Sequence, residues 1–151
     1  MASADITGKD TLVKGVNSPN NYIRSEAHLL DGNEFPGILA ADTHDLFRIP
    51  KGNALVRLTV VALENTASGG SATLQFKAKI NGASEAVNGT AIAKADIAKG
   101  DVVVLPVAKI KGYDRENDTI IQLTVGTAAL TALKLLVIAD YLPVAEFMEL
   151  G

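Results

Sequence analysis

The sequence predicts an all-β fold, an antiparallel β-sandwich of a jelly-roll-like kind with an extended N-terminal arm and a short C-terminal tail. Apolar and polar side chains alternate strictly from Ser71 to Ile80, which is the pattern of a strand with one buried face. Turn signals recur at the short intervals typical of sandwiches. Helical periodicity is nearly absent. The one stretch that could be helical, the alanine-rich Thr90 to Ala98, is short and favours a loop with one turn of helix.

Residues 1–45 are predicted to form the arm. They are dense in Asn, Asp, Gly, Ser and Pro, which favours extended or turn conformations with room for one or two short edge strands. The apolar residues in this range are spaced too irregularly to build a core, so we expect them to be buried against another chain. These predicted contact residues are Ile6, Leu12, Val13, Ile23, Leu29 and Leu30.

Residues 46–142 are predicted to form the sandwich domain, with about seven to nine strands. The stretch Ala54 to Leu63 places Val56 on the inner face and leaves a second, largely apolar face with Leu55, Val61 and Leu63. Further strands are expected at Asp101 to Val107, Thr119 to Val125 and Leu130 to Leu142, which are rich in Val, Ile, Leu and Thr. The predicted core contains Val56, Leu58, Val60, Leu74, Phe76, Ile121, Leu123, Leu135 and Val137.

Three connectors carry the residues that tight hairpins need. Asn81-Gly82 and Asn88-Gly89 supply positive φ angles readily, and Ser68-Gly69-Gly70 offers the same freedom. Pro143 is expected to end the last strand and release residues 143–151 as the tail. Its apolar residues Val144, Phe147, Met148 and Leu150 are predicted to contact another chain, as in the arm.

Composition excludes several classes of function. The chain has 151 residues and no Cys, so disulfides, thiolate metal sites and cysteine nucleophiles are excluded. A net charge of -3 with no basic cluster argues against a nucleic-acid partner. No apolar run has the length of a membrane helix and no secretory signal is present, so we expect a soluble protein made in a cytoplasm, without a membrane partner.

Candidate catalytic or metal-binding residues are few. A strand would bring Asp42 and His44 to one face, where a metal could bind both with a third ligand, but a polar loop before the next strand is favoured. The cluster Asp114 to Asp118 lacks the spacing of a calcium loop, so a solvated hairpin tip is favoured there. No nucleophile elbow, phosphate-binding loop or apolar carboxylate pair is present. The sequence therefore predicts no enzyme, no metal and no cofactor.

Four segments together are similar to a known family. They are the run Asp45-Leu46-Phe47-Arg48-Ile49-Pro50-Lys51-Gly52, the later Ala72-Thr73-Leu74, the strand from Asp118 to Val125, and the closing strand Leu135 to Tyr141. This pattern, which covers roughly two thirds of the chain, resembles tailed-bacteriophage head proteins of the small β-sandwich type, often capsid decoration (cement) proteins. The run Lys77-Ala78-Lys79-Ile80 departs from the pattern, since relatives often have glycine-rich strand ends there.

The resemblance implies a function. It predicts a decoration protein that lies on the outer surface of a phage head, binds the major capsid protein, stabilises contacts between capsomers and forms homotrimers. The apolar second face with Leu55, Val61 and Leu63 supports homotrimers, because a lone sandwich would leave this face partly exposed to water. The alternative is another virion component with the same module, such as a head-fibre base, collar or tail protein. A carbohydrate-binding module or a metal-dependent enzyme on a sandwich is a third class, which the lack of Trp and the presence of only three Tyr disfavour.

Overall fold

The structure, a computed structural model, describes residues 23–106 and 116–143. The described part contains eleven strands and two short 3-10 helices, Pro36–Leu39 and Lys94–Asp96. The strands are β1 (Arg24–Asp31), β2 (Thr43–Ile49), β3 (Ala54–Ala62), β4 (Ala67–Ser68), β5 (Thr73–Ile80), β6 (Ala83–Ala86), β7 (Ile92–Ala93), β8 (Val102–Pro106), β9 (Thr119–Gly126), β10 (Leu130–Ala132) and β11 (Lys134–Leu142).

The strands form two main antiparallel sheets. The first sheet has the order β1-β11-β3-β8, and the second has the order β2-β9-β5-β6. The short strand β7 pairs with β5 in the second sheet, and β4 pairs with β10 in a separate two-stranded ribbon. The predicted all-β antiparallel fold class is therefore confirmed.

The core is built from the apolar inner faces of the two sheets. Phe76 in β5, Leu123 in β9 and Leu58 in β3 are fully buried, and they belong to one continuous hydrophobic cluster. Every predicted core residue except Val56 is buried. The alternation in each strand therefore identified the buried face correctly wherever the strand is regular.

Val56 is displaced from the core by a β-bulge. Asp140 pairs with Arg57 and Tyr141 pairs with Leu55, so β3 has one extra residue between two partners that are consecutive in β11. A bulge shifts the alternation by one residue. Leu55 consequently belongs to the core and is 4% exposed, so its predicted position on the outer face is wrong.

The sandwich begins earlier in the chain than predicted. The range 1–45 contains β1 and the start of β2, which are edge strands of the first and second sheets. Leu30 in β1 pairs with Leu135 and is 8% exposed within the core cluster. Residues 1–45 therefore contain the short edge strands for which the prediction left room, and Leu30 is buried against its own chain rather than against another.

The turn predictions have mixed outcomes. Asn81 and Gly82 join β5 to β6 with φ angles of 49° and 82°, which confirms the tight hairpin. Neither Asn88-Gly89 nor Ser68-Gly69-Gly70 contains a positive φ, and β4 pairs with β10 rather than with β5, so these two hairpins are wrong. The stretch Thr90 to Ala98 contains β7 and one 3-10 turn, close to the predicted loop.

Candidate functional site

The polar residues considered for metal binding are used within the fold. The ring N–H at His44 Nε2 donates to the carbonyl oxygen of Ala40 over 2.8 Å, and Asp42 accepts the backbone N–H of Thr43. Asp45 accepts a hydrogen bond from Gln122 across the sheet. Within the described ranges no three His, Asp or Glu side chains lie close enough together to hold a metal ion.

Asp118 anchors the turn between β2 and β3. Its Oδ1 accepts the backbone N–H of Lys51 at 2.9 Å, and its Oδ2 lies 3.7 Å from the guanidinium of Arg48. The carboxylate thus holds a neighbouring connection in place, which is a structural role. Residues 114 and 115 of the predicted charged hairpin tip lie outside the described residues.

The outer face of the second sheet is polar. The Ser84 hydroxyl donates to Gln122 Oε1 over 2.9 Å, and Gln122 Nε2 donates to Asp45 Oδ1 over 2.7 Å. These three side chains form a hydrogen-bonded row that joins β6 to β9, over the intervening β5, and β9 to β2. Lys77 and Lys79 alternate in β5 with inward-facing residues and so lie on the same outer face. This face is suited to contact with water.

The outer face of the first sheet is apolar. Strand register places Leu29, Leu136, Val61 and Val102 in one row across all four strands, and Ala27, Ile138, Thr59 and Val104 in the next row. These eight residues are called the apolar outer face below. Leu29 is 46% exposed, Val102 is 59% exposed and Val104 is 52% exposed, so the face is open at both edges of the sheet in the described structure.

An ion pair within the chain lies at each end of the apolar outer face. Arg57 Nε donates to Asp140 Oδ2 over 2.7 Å at one end, and Ser25 donates to Asp140 Oδ1 beside it. Lys134 Nζ lies 3.5 Å from Glu64 Oε2 at the other end. Burial by itself raises the pKa of Asp140, but the hydrogen bonds from Ser25 and Arg57 and the guanidinium charge outweigh it, so the pKa is lowered.

A small polar and aromatic cluster joins the edge strands of the two sheets. The rings of His28 in β1 and Phe47 in β2 stack with centroids 3.9 Å apart. Tyr141 donates to Glu26 Oε2 over 3.1 Å, and burial together with this partner raises the pKa of the Tyr141 hydroxyl. The stacked rings join the two sheets along one side of the sandwich, and the hydrogen bond joins β11 to β1.

The predicted contact residues fall into three groups. Ile23 and Leu29 are exposed, at 54% and 46%, whereas Leu30 is in the core. The remaining residues, Ile6, Leu12, Val13, Val144, Phe147, Met148 and Leu150, lie outside the described residues. Sequence reasoning did not single out the contributions of β8 and β11 to the apolar outer face. The signal was present, because both strands carry apolar residues at successive positions and therefore on both faces.

The chain matches no known family model and no curated protein. Three solved structures of phage capsids contain similar chains. The match to the capsid of Ralstonia phage GP4 has a TM-score of 0.51 and 15% identity, and it covers 80% of this chain and 84% of that chain. The match to the acid-stable capsid of Helicobacter pylori bacteriophage KHP30 has a TM-score of 0.51 and 12% identity, and it covers 82% of this chain and 90% of that chain. The match to the cyanophage Pam1 capsid asymmetric unit has a TM-score of 0.53 and 13% identity, and it covers 83% of this chain and 88% of that chain.

At these identities the matches show a shared fold. Because similar fractions of both chains are covered, each matched capsid chain is close to this one in length. The likeness therefore involves most of a small β-rich chain in each capsid, rather than one domain of a much larger protein.

Proposed function

We propose that the chain is a virion structural protein, and specifically a decoration protein that binds the outer surface of a phage head. The observation that carries the proposal is the shared fold with chains of similar length in three phage capsids. The resemblance of four sequence segments to phage head proteins supports it independently. The protein would bind the major capsid protein and stabilise contacts between neighbouring capsomers.

The chemistry of the described residues supports a role in binding rather than in catalysis. His44, Asp45 and Asp118 each make contacts that hold strands and turns together. Leu29, Val102 and Val104 expose an apolar sheet face, and a contiguous exposed apolar face is typical of protein–protein contact. We infer that the protein acts through the surface area that it buries on its partner.

A direct test adds the purified protein to phage heads that lack it. We expect the protein to co-sediment with the heads to a saturating ratio and to raise the temperature at which the heads dissociate. Heads saturated with an unrelated small protein of similar charge are the control. Failure to co-sediment would contradict the proposal, and labelling confined to the collar or tail of the particle would favour the alternative virion component.

We also propose that the protein forms homotrimers, as the resemblance implies. Sedimentation equilibrium of the purified protein and of protein released from particles measures the number of copies directly. We expect three copies in both samples. Monomers in both samples would contradict a stable trimer.

A further inference from the structure

We propose that the apolar outer face of the first sheet is the surface that lies against the capsid shell. This inference rests on the proposed function and adds the contact face and the chemistry of its partner. The partner surface is expected to be apolar and uncharged, because the two central rows of the face contain seven apolar side chains and one threonine. A charged partner group would be desolvated here without a counter-charge.

The electrostatics of the face support this partner chemistry. Of the charged side chains that flank the two rows, Arg57 pairs with Asp140 and Lys134 pairs with Glu64. Asp31 lies beside Lys134 on the same face, and its Oδ1 accepts the backbone N–H of Asn33. Asp140 is the most enclosed of them, with its side chain 8% exposed. Covering the face would therefore bury a paired charge at the Asp140 end, which lowers the penalty for docking a neutral surface there.

The two outer faces of the sandwich differ in polarity, and this difference favours a shell over a second copy. The first sheet has an apolar outer face, whereas the second has Asp45, Gln122, Lys77 and Lys79 on its outer face. A sandwich with one apolar and one polar side is suited to lying on a larger protein surface with its other side in water.

The area of the face also argues against a second copy as the occupant. Neighbouring strands lie about 4.8 Å apart and outward residues about 7 Å apart along each strand, so the eight residues of the apolar outer face cover roughly 270 Å². Two copies packed face to face would bury about 540 Å² in total, below the roughly 1,200 Å² of a stable interface between two free proteins. On a shell, several linked copies can each add such a contact, and their combined binding becomes strong.

Two alanines provide a matched test. Ala27 in β1 lies on the apolar outer face, and Ala86 in β6 lies on the polar outer face opposite Lys77. Both are exposed residues of edge strands, so a lysine at either position reaches water in the isolated protein. The test variant is Ala27→Lys combined with Val104→Lys, one charge on each edge strand of the face, and Ala86→Lys is the control.

Binding to heads that lack the protein is measured by co-sedimentation, with unfolding temperature and oligomeric state measured in parallel. We expect the Ala27→Lys/Val104→Lys variant to bind at least tenfold more weakly than wild type, with the same number of copies and an unchanged unfolding temperature. Ala86→Lys is expected to bind within about twofold of wild type.

Four outcomes would overturn the inference. Equal binding by the double variant and the control would locate the contact elsewhere. Loss of the oligomeric state in the double variant would assign the face to a second copy. A lower unfolding temperature with unchanged binding would assign it to another segment of the same chain. Failure of the wild-type protein to bind heads would contradict the proposed function itself, and with it this inference.

Discussion

Asp140 is a carboxylate held on an otherwise apolar sheet face. Its neighbours across the strands are Ser25 on one side and Arg57 on the other, and both donate hydrogen bonds to it. Charge-assisted hydrogen bonds of this kind favour the ionised form. The residue therefore links three adjacent strands at the end of the sheet where the bulge also lies.

The lowered pKa of Asp140 predicts how stability depends on pH. Because the folded protein holds this pKa below the ordinary value of 3.8, the ionised carboxylate contributes stability above about pH 4, and that contribution is lost as pH falls through the folded pKa. The free energy of unfolding of wild type should exceed that of Asp140→Asn most near neutral pH. We expect the difference to narrow as the pH falls from 5 to 3 in urea titrations, and a constant difference would contradict the assignment.

Phe76 is the residue whose truncation should cost the most stability among the predicted core residues. Its side chain is fully buried between the sheets, so Phe76→Ala removes contacts and leaves a cavity. We expect a loss of about 3 to 5 kcal/mol in the free energy of unfolding, measured by urea denaturation. Lys77→Ala, the next residue and on the outer face, is the control and should change stability by less than about 0.5 kcal/mol. A loss below 1 kcal/mol for Phe76→Ala would mean that the site collapses around the smaller side chain.

At the scale of the strands, alternation predicted the buried faces of β5, β9 and β11 because these strands are regular. It failed at β3, where Val56 is the extra residue of a bulge opposite Asp140 and Tyr141. A bulge is defined by the pairing of two strands that lie far apart in sequence, so the pattern of one strand cannot reveal it. The same limit applies to β2, which has a register shift between Asp45 and Phe47.

The connection between β6 and β7 illustrates a second limit. Asn88 was expected to form a tight turn, but its side chain is buried and its Oδ1 accepts the backbone N–H of Phe76 over 2.8 Å. Its Nδ2 donates to the carbonyl oxygen of Thr90. The side chain thus supplies hydrogen bonds to β5 in the gap between two short strands that pair with it. Local turn propensity does not indicate a partner twelve residues away.

The hairpin between β5 and β6 gives a prediction at this scale. Gly82 has a φ of +82°, a conformation that costs other residues about 1 to 2 kcal/mol. Gly82→Ala should lower the free energy of unfolding by that amount in urea denaturation. Gly69→Ala is the matched control, because Gly69 has no positive φ and an added Cβ would meet no atom within 4 Å. Equal effects of the two substitutions would show that the turn does not depend on the left-handed conformation.

At the scale of the whole molecule, the described sandwich has two outer faces of different character and one closed core. In the described part of the chain no helix is long and apolar enough to cross a membrane. The apolar outer face forms only when β1, β11, β3 and β8 are assembled in register, since each strand contributes two of its eight residues. This is why composition and strand patterns predicted the class of fold but not the surface that we propose for docking.

The N-terminal arm gives the last prediction. The described sandwich begins with β1 at Arg24, so deleting residues 1–15 removes none of its strands and none of its buried core residues. We therefore expect the truncated protein to unfold at nearly the same temperature as the full-length protein. Ile6, Leu12 and Val13 are the apolar residues lost, and we propose that they are buried on the shell or on a neighbouring copy, so co-sedimentation with heads should weaken.

A full-length variant with Ile6, Leu12 and Val13 changed to Ser separates the apolar contacts from the length of the arm. We expect this variant to bind heads as weakly as the truncated protein, because burial of the three side chains, rather than the backbone of the arm, would stabilise the complex. Unfolding of the truncated protein would mean that the arm is part of the folded core. Undiminished binding by both variants would show that the arm does not contribute to attachment. A contact between the apolar outer face and the shell would then account for binding by itself.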